Sequence, residues 1–254
     1  MRKAQLAEQV AQMEYPPTLL IIQVGDNEAS NRYVRNKMKD CDEVGITAHH
    51  LVCDEYISTE ELIGYIETYG WKYDGIIVQQ PLPKHIDQAR IDEAIDPAHD
   101  VDGFHPLSHF NPATAKGIID YLEWRDFDFE GMNTVVISRS DIVGKPVAKL
   151  LLDKDCNVTI CHSKTPYKNL MNYVYDADLV ICAVGKPRFL DCTFLNNTPI
   201  IDVGINFDKD GKMCGDCYSA RTDKSMNNIS PVPGGVGLLT RVALLENVVE
   251  AANE

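Results

Sequence analysis

The stretch Thr134-Val135-Val136-Ile137-Ser138-Arg139-Ser140-Asp141-Ile142-Val143-Gly144-Lys145-Pro146 decides how the rest of the chain is read. Apolar, mostly β-branched residues at 134–137 run into a short polar loop, after which Val143, Val147, Leu150 and Leu151 recur at helical spacing. The pattern predicts strand, tight turn, helix. Such a turn presents backbone N–H groups and the positive end of a helix dipole, which suits a phosphate. Gly144 lets the loop backbone come close to a ligand, and Pro146 fits the first helical turn, where its missing N–H has no helical partner. A purely structural βα turn fits this stretch about equally well, since short glycine motifs often match by chance.

The next strand tips the balance. Asn157-Val158-Thr159-Ile160-Cys161 ends in His162-Ser163-Lys164. This is the place, about 20 residues beyond the loop, where an NAD site usually carries an acid for the ribose hydroxyls. A hydroxyl and a cation there, with Arg139 in the first loop, accommodate a 2′-phosphate that a carboxylate would repel. NADP is therefore favoured over NAD.

A chain of 254 residues is long enough for one large or two medium domains. Its net charge of −14 argues against nucleic-acid and acidic-membrane partners, which need clustered Lys and Arg. The N-terminal Met-Arg-Lys-Ala-Gln-Leu lacks the apolar core of a signal peptide, and no apolar run reaches membrane-spanning length. A cytoplasmic protein is expected. The 8 cysteines are scattered through apparent strands and helices, which favours reduced core thiols over a disulfide framework. Cys214-Gly215-Asp216-Cys217 has CxxC spacing, yet no second ligand pair accompanies it, so structural thiols and no metal are the expectation.

Taken in order, residues 3–13 read as a helix with Leu6, Val10 and Met13 inward, and 18–24 as a strand apolar on both faces, the parallel-sheet type. Gly25-Asp26-Asn27 offers an N-cap. In the following helix Val34, Met38 and Cys41 face the core, leaving Tyr33 and Lys37 four apart on one flank. Taken alone, that pair is better explained as an exposed Lys lying along an aromatic ring than as a site. A strand over 48–53, a helix over 59–69 begun by Ser58-Thr59-Glu60-Glu61, and a strand over 74–78 come next. Gln79-Gln80-Pro81-Leu82-Pro83 ends the last of these in a stiff turn. Its place at a strand's carboxyl end favours Gln79 as a site residue, with a polar turn as the plain alternative. Asp102, in Asp100-Val101-Asp102-Gly103-Phe104, reads as a turn residue after another strand end. A helix over 112–124 leads into the second half, where a helix near 168–175 and strands over 178–183 and 199–204 continue the alternation of parallel, right-handed α/β units. A final helix over 238–252 is expected to fold back on the first domain.

Together these motifs make the chain similar to the bifunctional 5,10-methylenetetrahydrofolate dehydrogenase/5,10-methenyltetrahydrofolate cyclohydrolase family. The landmarks are Val24-Gly25-Asp26, Tyr33-Val34-Arg35-Asn36-Lys37, Asp74 to Gln79 with Pro81-Leu82-Pro83, and Asp100 to Phe104. Arg139-Ser140, Val143-Gly144-Lys145-Pro146, Cys161 to Thr165 and Pro231-Val232-Pro233-Gly234-Gly235-Val236-Gly237 complete the set. The resemblance implies an α/β fold of two domains flanking a cleft. Residues 1–111 plus 237–254 would form the folate-binding catalytic domain, and 112–236 a Rossmann-like NADP-binding domain. It implies a homodimer through the nucleotide domain. It makes Lys37 the central catalytic residue, hydrogen-bonded to Gln79 and flanked by Tyr33. Asp102 becomes the pterin anchor, Pro233, Gly234 and Gly235 line the folate site, and Arg139, Ser140, Gly144, Ser163 and Ile205 bind NADP.

The chain departs from the family pattern in four places. It lacks an initial strand and helical turn, its segment after Asp102 is shorter, it has Pro112-Ala113-Thr114-Ala115 where Pro-Cys-Thr-Pro is typical, and Ser138 replaces a glycine before the Arg-Ser pair. The last two changes fall near the expected cofactor and cleft. A cyclohydrolase with little dehydrogenase activity is therefore the nearest alternative, and a silent folate- or nucleotide-binding protein the alternative of another class. Retention of Lys37 with Gln79 speaks against the latter, because binding alone does not need them.

Overall fold

A parallel strand that is apolar on both faces needs cover on both sides, and the computed structural model supplies it twice. The structure describes residues 2–195, 198–220 and 228–254, and the chain forms two units, Met1–Ala113 with Arg241–Glu254, and Thr114–Thr240.

In the first unit β1 (Thr18–Val24) lies between β2 (Thr47–Cys53) and β3 (Gly75–Val78), all parallel. Its side chains alternate between two cores. Leu19 and Ile21 join Leu6 and Val10 of α1 (Arg2–Val10), Val34 and Cys41 of α2 (Glu28–Val44), and Leu244 and Val248 of α8 (Val236–Ala251). Leu20, Ile22 and Val24 join Leu62 and Ile66 of α3 (Thr59–Tyr69) and Ile91 of α4 (Gln88–Ala94). Each fully buried Leu or Ile contributes about 1.5–3 kcal/mol.

The second unit repeats the scheme. Its parallel sheet has the order β5-β4-β6-β8, made of β4 (Asn133–Ile137), β5 (Asn157–Cys161), β6 (Leu179–Cys182) and β8 (Ile200–Asp202). Val136, Ile181 and Ile201 pack with α5 (Ala113–Trp124) and α6 (Gly144–Asp153) on one face. Val135, Ile137, Val180 and Ile200 pack with Leu170 and Val174 of α7 (Tyr167–Tyr175) on the other. The chain steps outward from β4 to β5 and then returns across β4 to β6, so the winding reverses between β4 and β6.

Most expected elements appear within a residue or two of their expected ends. The helix read over 59–69 begins with a reciprocal cap, in which Glu61 N–H donates to Ser58 Oγ (3.2 Å) and Ser58 N–H to Glu61 Oε2 (2.9 Å). The first helix stops at Val10 rather than 13, tightening through bonds from Gln12 N–H to Gln9 O and Met13 N–H to Val10 O. The last helix begins at Val236, two residues before the expected start. Sequence reading missed α4, which has a single fully buried residue, Ile91, and so no periodic stripe. It also missed β7 (Leu190–Asp191), β9 (Asn206–Phe207), β10 (Met213–Cys214) and β11 (Cys217–Tyr218), since two residues carry no pattern. All eight cysteines are free thiols and six of them are buried. No helix among the described residues is long and apolar enough to cross a membrane.

Candidate functional site

In the first unit, the candidate residues come from the carboxyl ends of the strands and from the helix that follows β1. Asn27 caps α2, accepting Ser30 N–H on Oδ1 at 3.2 Å. The preceding turn is tied down by Gln23, whose Nε2 donates to Gly25 O (2.9 Å) and Asn31 Oδ1 (2.7 Å). Because Val34 and Cys41 are buried, the neighbouring flank turns Tyr33, 38% exposed, and half-buried Lys37 outward. Burial pushes the Tyr33 phenol up despite the nearby Arg32.

Gln79 follows β3 directly and extends its ladder, donating its backbone N–H to Ile22 O at 2.8 Å. Its side chain is buried. Nε2 donates to Gln80 O (2.6 Å), while Oε1 has no partner among the described residues. The expected hydrogen bond between Lys37 and Gln79 is not formed, since Lys37 makes none with any described residue. A buried acceptor without a donor is costly, about 1–3 kcal/mol, so Gln79 Oε1 stands ready for an incoming N–H.

Asp102 sits in a turn beside β3, positioned by residues that sequence reading did not single out. Asp100 forms a parallel bridge with Ile76. Its carboxylate accepts N–H bonds from His105 (2.7 Å) and Gly103 (3.2 Å), while Ser108 Oγ donates to its carbonyl. From α8, buried Asn247 donates through Nδ2 to Val101 O (2.9 Å) and Asn111 O (3.2 Å). Asp102 itself is half-buried and accepts no hydrogen bond from any described residue. Burial pushes its carboxyl up, and the charge of Lys37 pulls it down. Lys37 and Asp102 therefore share one electrostatic environment. Asp100 and Asp92 add to it, each raised to about 6, first by burial and then by neighbouring carboxylates. A local signal for Asp100 existed, an Asp just before a glycine-containing turn. None existed for Asn247, far along the chain. A hollow lined by Val52, Tyr56, Tyr65 and Tyr69 over β2 and α3 includes none of Tyr33, Lys37, Gln79 and Asp102, whereas another is lined by Gly25, Asp26 and Asn27 together with Pro81, Leu82 and Pro83.

The second unit carries the candidate cofactor loops at the carboxyl ends of its strands. After β4, Ser140 Oγ accepts Gly144 N–H (3.2 Å) and Ser140 O accepts Lys145 N–H (3.0 Å), closing the turn into α6. Gly144 is buried, and a Cβ on it would come within 2.6 Å of the Ser138 backbone. Its smallness thus serves close packing of helix on strand, the third-glycine role of dinucleotide folds. The Ser138 hydroxyl turns into the loop, donating to Ser140 Oγ (3.2 Å) and accepting Ser140 N–H (3.3 Å). Arg139 is exposed and makes no ion pair or hydrogen bond with a described residue. After β5, Ser163 and Lys164 are exposed in a turn held by His162 N–H to Thr165 Oγ1 (3.0 Å) and Lys164 N–H to His162 Nδ1 (3.1 Å). Ile205, 46% exposed, follows β8. Two free cations and a hydroxyl, with no carboxylate at the β5 end, fit a dinucleotide bearing a 2′-phosphate.

Pro233, Gly234 and Gly235 also belong to the second unit. Gly234 has φ +103°, open only to glycine at little strain, and a Cβ on Gly235 would meet Pro231 O at 2.4 Å.

Comparison with known proteins accords with this layout. Residues 1–102 match the catalytic-domain model of tetrahydrofolate dehydrogenase/cyclohydrolase, and 112–254 match its NAD(P)-binding-domain model. A bifunctional protein FolD of Streptococcus thermophilus is 42% identical over 98% of this chain and 92% of its own length. The crystal structure of the bifunctional FolD from Campylobacter jejuni superposes with a TM-score of 0.93 at 38% identity, covering 99% of this chain and 94% of that one. A Trypanosoma brucei dehydrogenase-cyclohydrolase, complexed with NADP cofactor and inhibitor, superposes at 0.90 with 29% identity over 99% of this chain and 93% of that one. With both halves matched and the motif residues at their strand ends, the chain belongs to the tetrahydrofolate dehydrogenase/cyclohydrolase family.

Proposed function

We propose that this chain oxidises 5,10-methylenetetrahydrofolate to the methenyl cation with NADP and hydrolyses that cation to 10-formyltetrahydrofolate, with Lys37, Tyr33 and Gln79 as the catalytic group and Asp102 as the pterin anchor. The observation that carries the reading is a half-buried Asp102 carboxylate that accepts nothing from the described residues, in the field of Lys37. Two acceptor oxygens without donors match adjacent N–H groups on a pterin. The unpartnered Oε1 of buried Gln79 supports a second polar contact nearby.

Bound NADP supplies the hydride acceptor. Arg139, Ser140, Ser163 and Ile205, with the turn that Gly144 closes, are the residues to hold it. In the hydrolytic step water adds to the cationic carbon, one proton leaves the added water, and another must reach the ring nitrogen as its bond to that carbon breaks. Lys37 is placed to carry these protons, with Tyr33 on the same flank of α2. Pro233, Gly234 and Gly235 supply a rigid, side-chain-poor turn for the flat substrate.

A homodimer is part of the proposal. Strand β5 is an edge of its sheet and Ile160 on it is 43% exposed, which supports self-association through the nucleotide unit. Six buried free thiols support a reducing, cytoplasmic location.

The test is Lys37→Met. Hydrolysis of methenyltetrahydrofolate should fall roughly 10²-fold to 10⁴-fold, the range for loss of an acid–base group, while folate binding and melting temperature stay close to wild type. Retained hydrolysis would refute the assignment of Lys37.

A further inference from the structure

Two carboxylates lie side by side in the interior of the second unit with no cation between them among the described residues. Asp202, at the end of β8, is 2% exposed and Asp216 0%. Asp216 Oδ2 accepts the N–H groups of Val184 (2.5 Å) and Gly185 (2.9 Å), and its Oδ1 accepts Lys186 N–H and Asn206 Nδ2, both at 2.8 Å. Asp202 holds Asp216 in turn. Its Oδ1 accepts Gly204 N–H (2.9 Å) and Asp216 N–H (3.0 Å), and its Oδ2 accepts Cys217 N–H (2.8 Å). Burial pushes the Asp202 carboxyl up against the pull of these N–H groups. The fit leaves no slack. A Cβ on Gly204 would come within 2.3 Å of the Asp216 carboxyl, and one on Gly215 within 1.9 Å of Asp202 Oδ2.

The place of this hub in the sheet gives it a consequence. An open α/β sheet takes its ligand at the strands' carboxyl ends, in the crevice where the winding reverses, here between β4 and β6. One wall is the loop Ser138 to Gly144. The other is the turn Val184 to Lys186, whose three successive N–H groups are gathered on one carboxylate, with the Gly204–Ile205 segment beside it. Phosphate contacts at the β4 turn and a 2′-phosphate at the β5 end put the adenosine half over β5. The reacting half of the dinucleotide must then lie toward β6 and β8.

We propose that Asp216 is a positioning residue for the dehydrogenase step: it fixes the Val184–Lys186 turn and, through Asn206, the segment bearing Ile205, in the shape that receives the reacting half of the dinucleotide, while Asp202 keeps Asp216 in place. This rests on the dinucleotide site lying at the β4–β6 crevice. The same residues also explain why the CxxC pair flanks Gly215-Asp216. The Gly-Asp is the functional part, and of the two thiols Cys217 packs against the apolar core beside it.

The test uses the whole protein and both reactions. Asp216→Asn replaces one acceptor oxygen by a donor facing N–H groups. The KM for NADP should rise at least tenfold and dehydrogenase kcat should fall, while methenyltetrahydrofolate hydrolysis, which needs no nucleotide, stays within twofold. Asn206→Ala removes one arm of the brace and should shift the NADP KM in the same direction by a smaller factor; it decides the matter if Asp216→Asn does not fold. Parallel loss of both activities would show a merely structural role, and unchanged dehydrogenase kinetics would show no role. Either result overturns the proposal. Arg139→Ala run alongside separates the two levels. If it leaves the NADP KM unchanged, the assigned crevice is wrong, whereas an effect at Arg139 without one at Asp216 sinks the positioning role alone.

Discussion

Replacing Asp92 by asparagine should make the protein more stable at neutral pH, and the gain should disappear in acid. Asp92, on α4, is raised from 3.8 to about 6, first by burial and then by the charges of Asp100 and Asp102, against a hydrogen bond from Gln88. A carboxyl whose folded pKa exceeds its unfolded value binds its proton more tightly in the native state. Its ionisation therefore costs stability as pH rises from the unfolded value through the folded one, and the full penalty applies above about 6. The interval from 3.8 to about 6 corresponds to about 3 kcal/mol. Partial exposure of Asp92 lets solvent screen this, leaving about 1–2 kcal/mol. An asparagine keeps the oxygen that accepts Gln88 Nε2, so the chain from Gln80 through Gln88 survives. At roughly 2–4 °C per kcal/mol for a chain of this size, the variant should melt about 2–8 °C higher near neutrality. Thermal unfolding followed by circular dichroism at about pH 7.5, 6 and 4.5, wild type against variant, measures this. Equal or lower stability of the variant at the highest pH, or an offset that does not shrink on acidification, would refute the reasoning.

Three further outcomes follow from the same contacts. Asp102→Asn should raise the KM for folate substrates roughly 30-fold to 160-fold, the loss of about 2–3 kcal/mol from charge-assisted bonds, with little change in melting temperature; steady-state kinetics on both reactions checks it. Arg139→Ala should raise the KM for NADP about 10-fold to 100-fold and narrow the preference over NAD, the loss of about 1.5–2.5 kcal/mol of phosphate contact. Asn247→Leu leaves the carbonyls of Val101 and Asn111 without their buried donor. It should cost about 2–4 kcal/mol in unfolding free energy and also weaken folate binding, because the Asp102 turn loses its anchor.

The inner strands were legible because they are apolar on both faces, and 18–24 matches the observed β1 residue for residue; the edge strand 157–161 also matches β5, though only Cys161 of it is buried. The cap at Ser58 was legible because its partners are three residues apart. What escaped were features that depend on distant partners. Asp216 reads locally as half of a CxxC spacer, and its role appears only when the turns after β6 and β8 arrive beside it. Asn247 reads as a polar break in an apolar helix until Val101 and Asn111 are seen beneath it. Gly144 was noticed for the right reason, close approach, but the neighbour it meets is the Ser138 backbone. The Lys37–Gln79 hydrogen bond, implied by resemblance alone, is not formed, although Gln79 Oε1, the atom that would accept it, has no partner among the described residues.

Whether one chain performs both steps is tested most directly by one pair of assays on purified protein: hydrolysis of methenyltetrahydrofolate, then oxidation of methylenetetrahydrofolate with NADP and with NAD. Turnover in both is expected, with NADP the better oxidant. Hydrolysis without reduction of either nucleotide would contradict the assignment of the second unit as a working cofactor site, and silence in both would contradict the account as a whole.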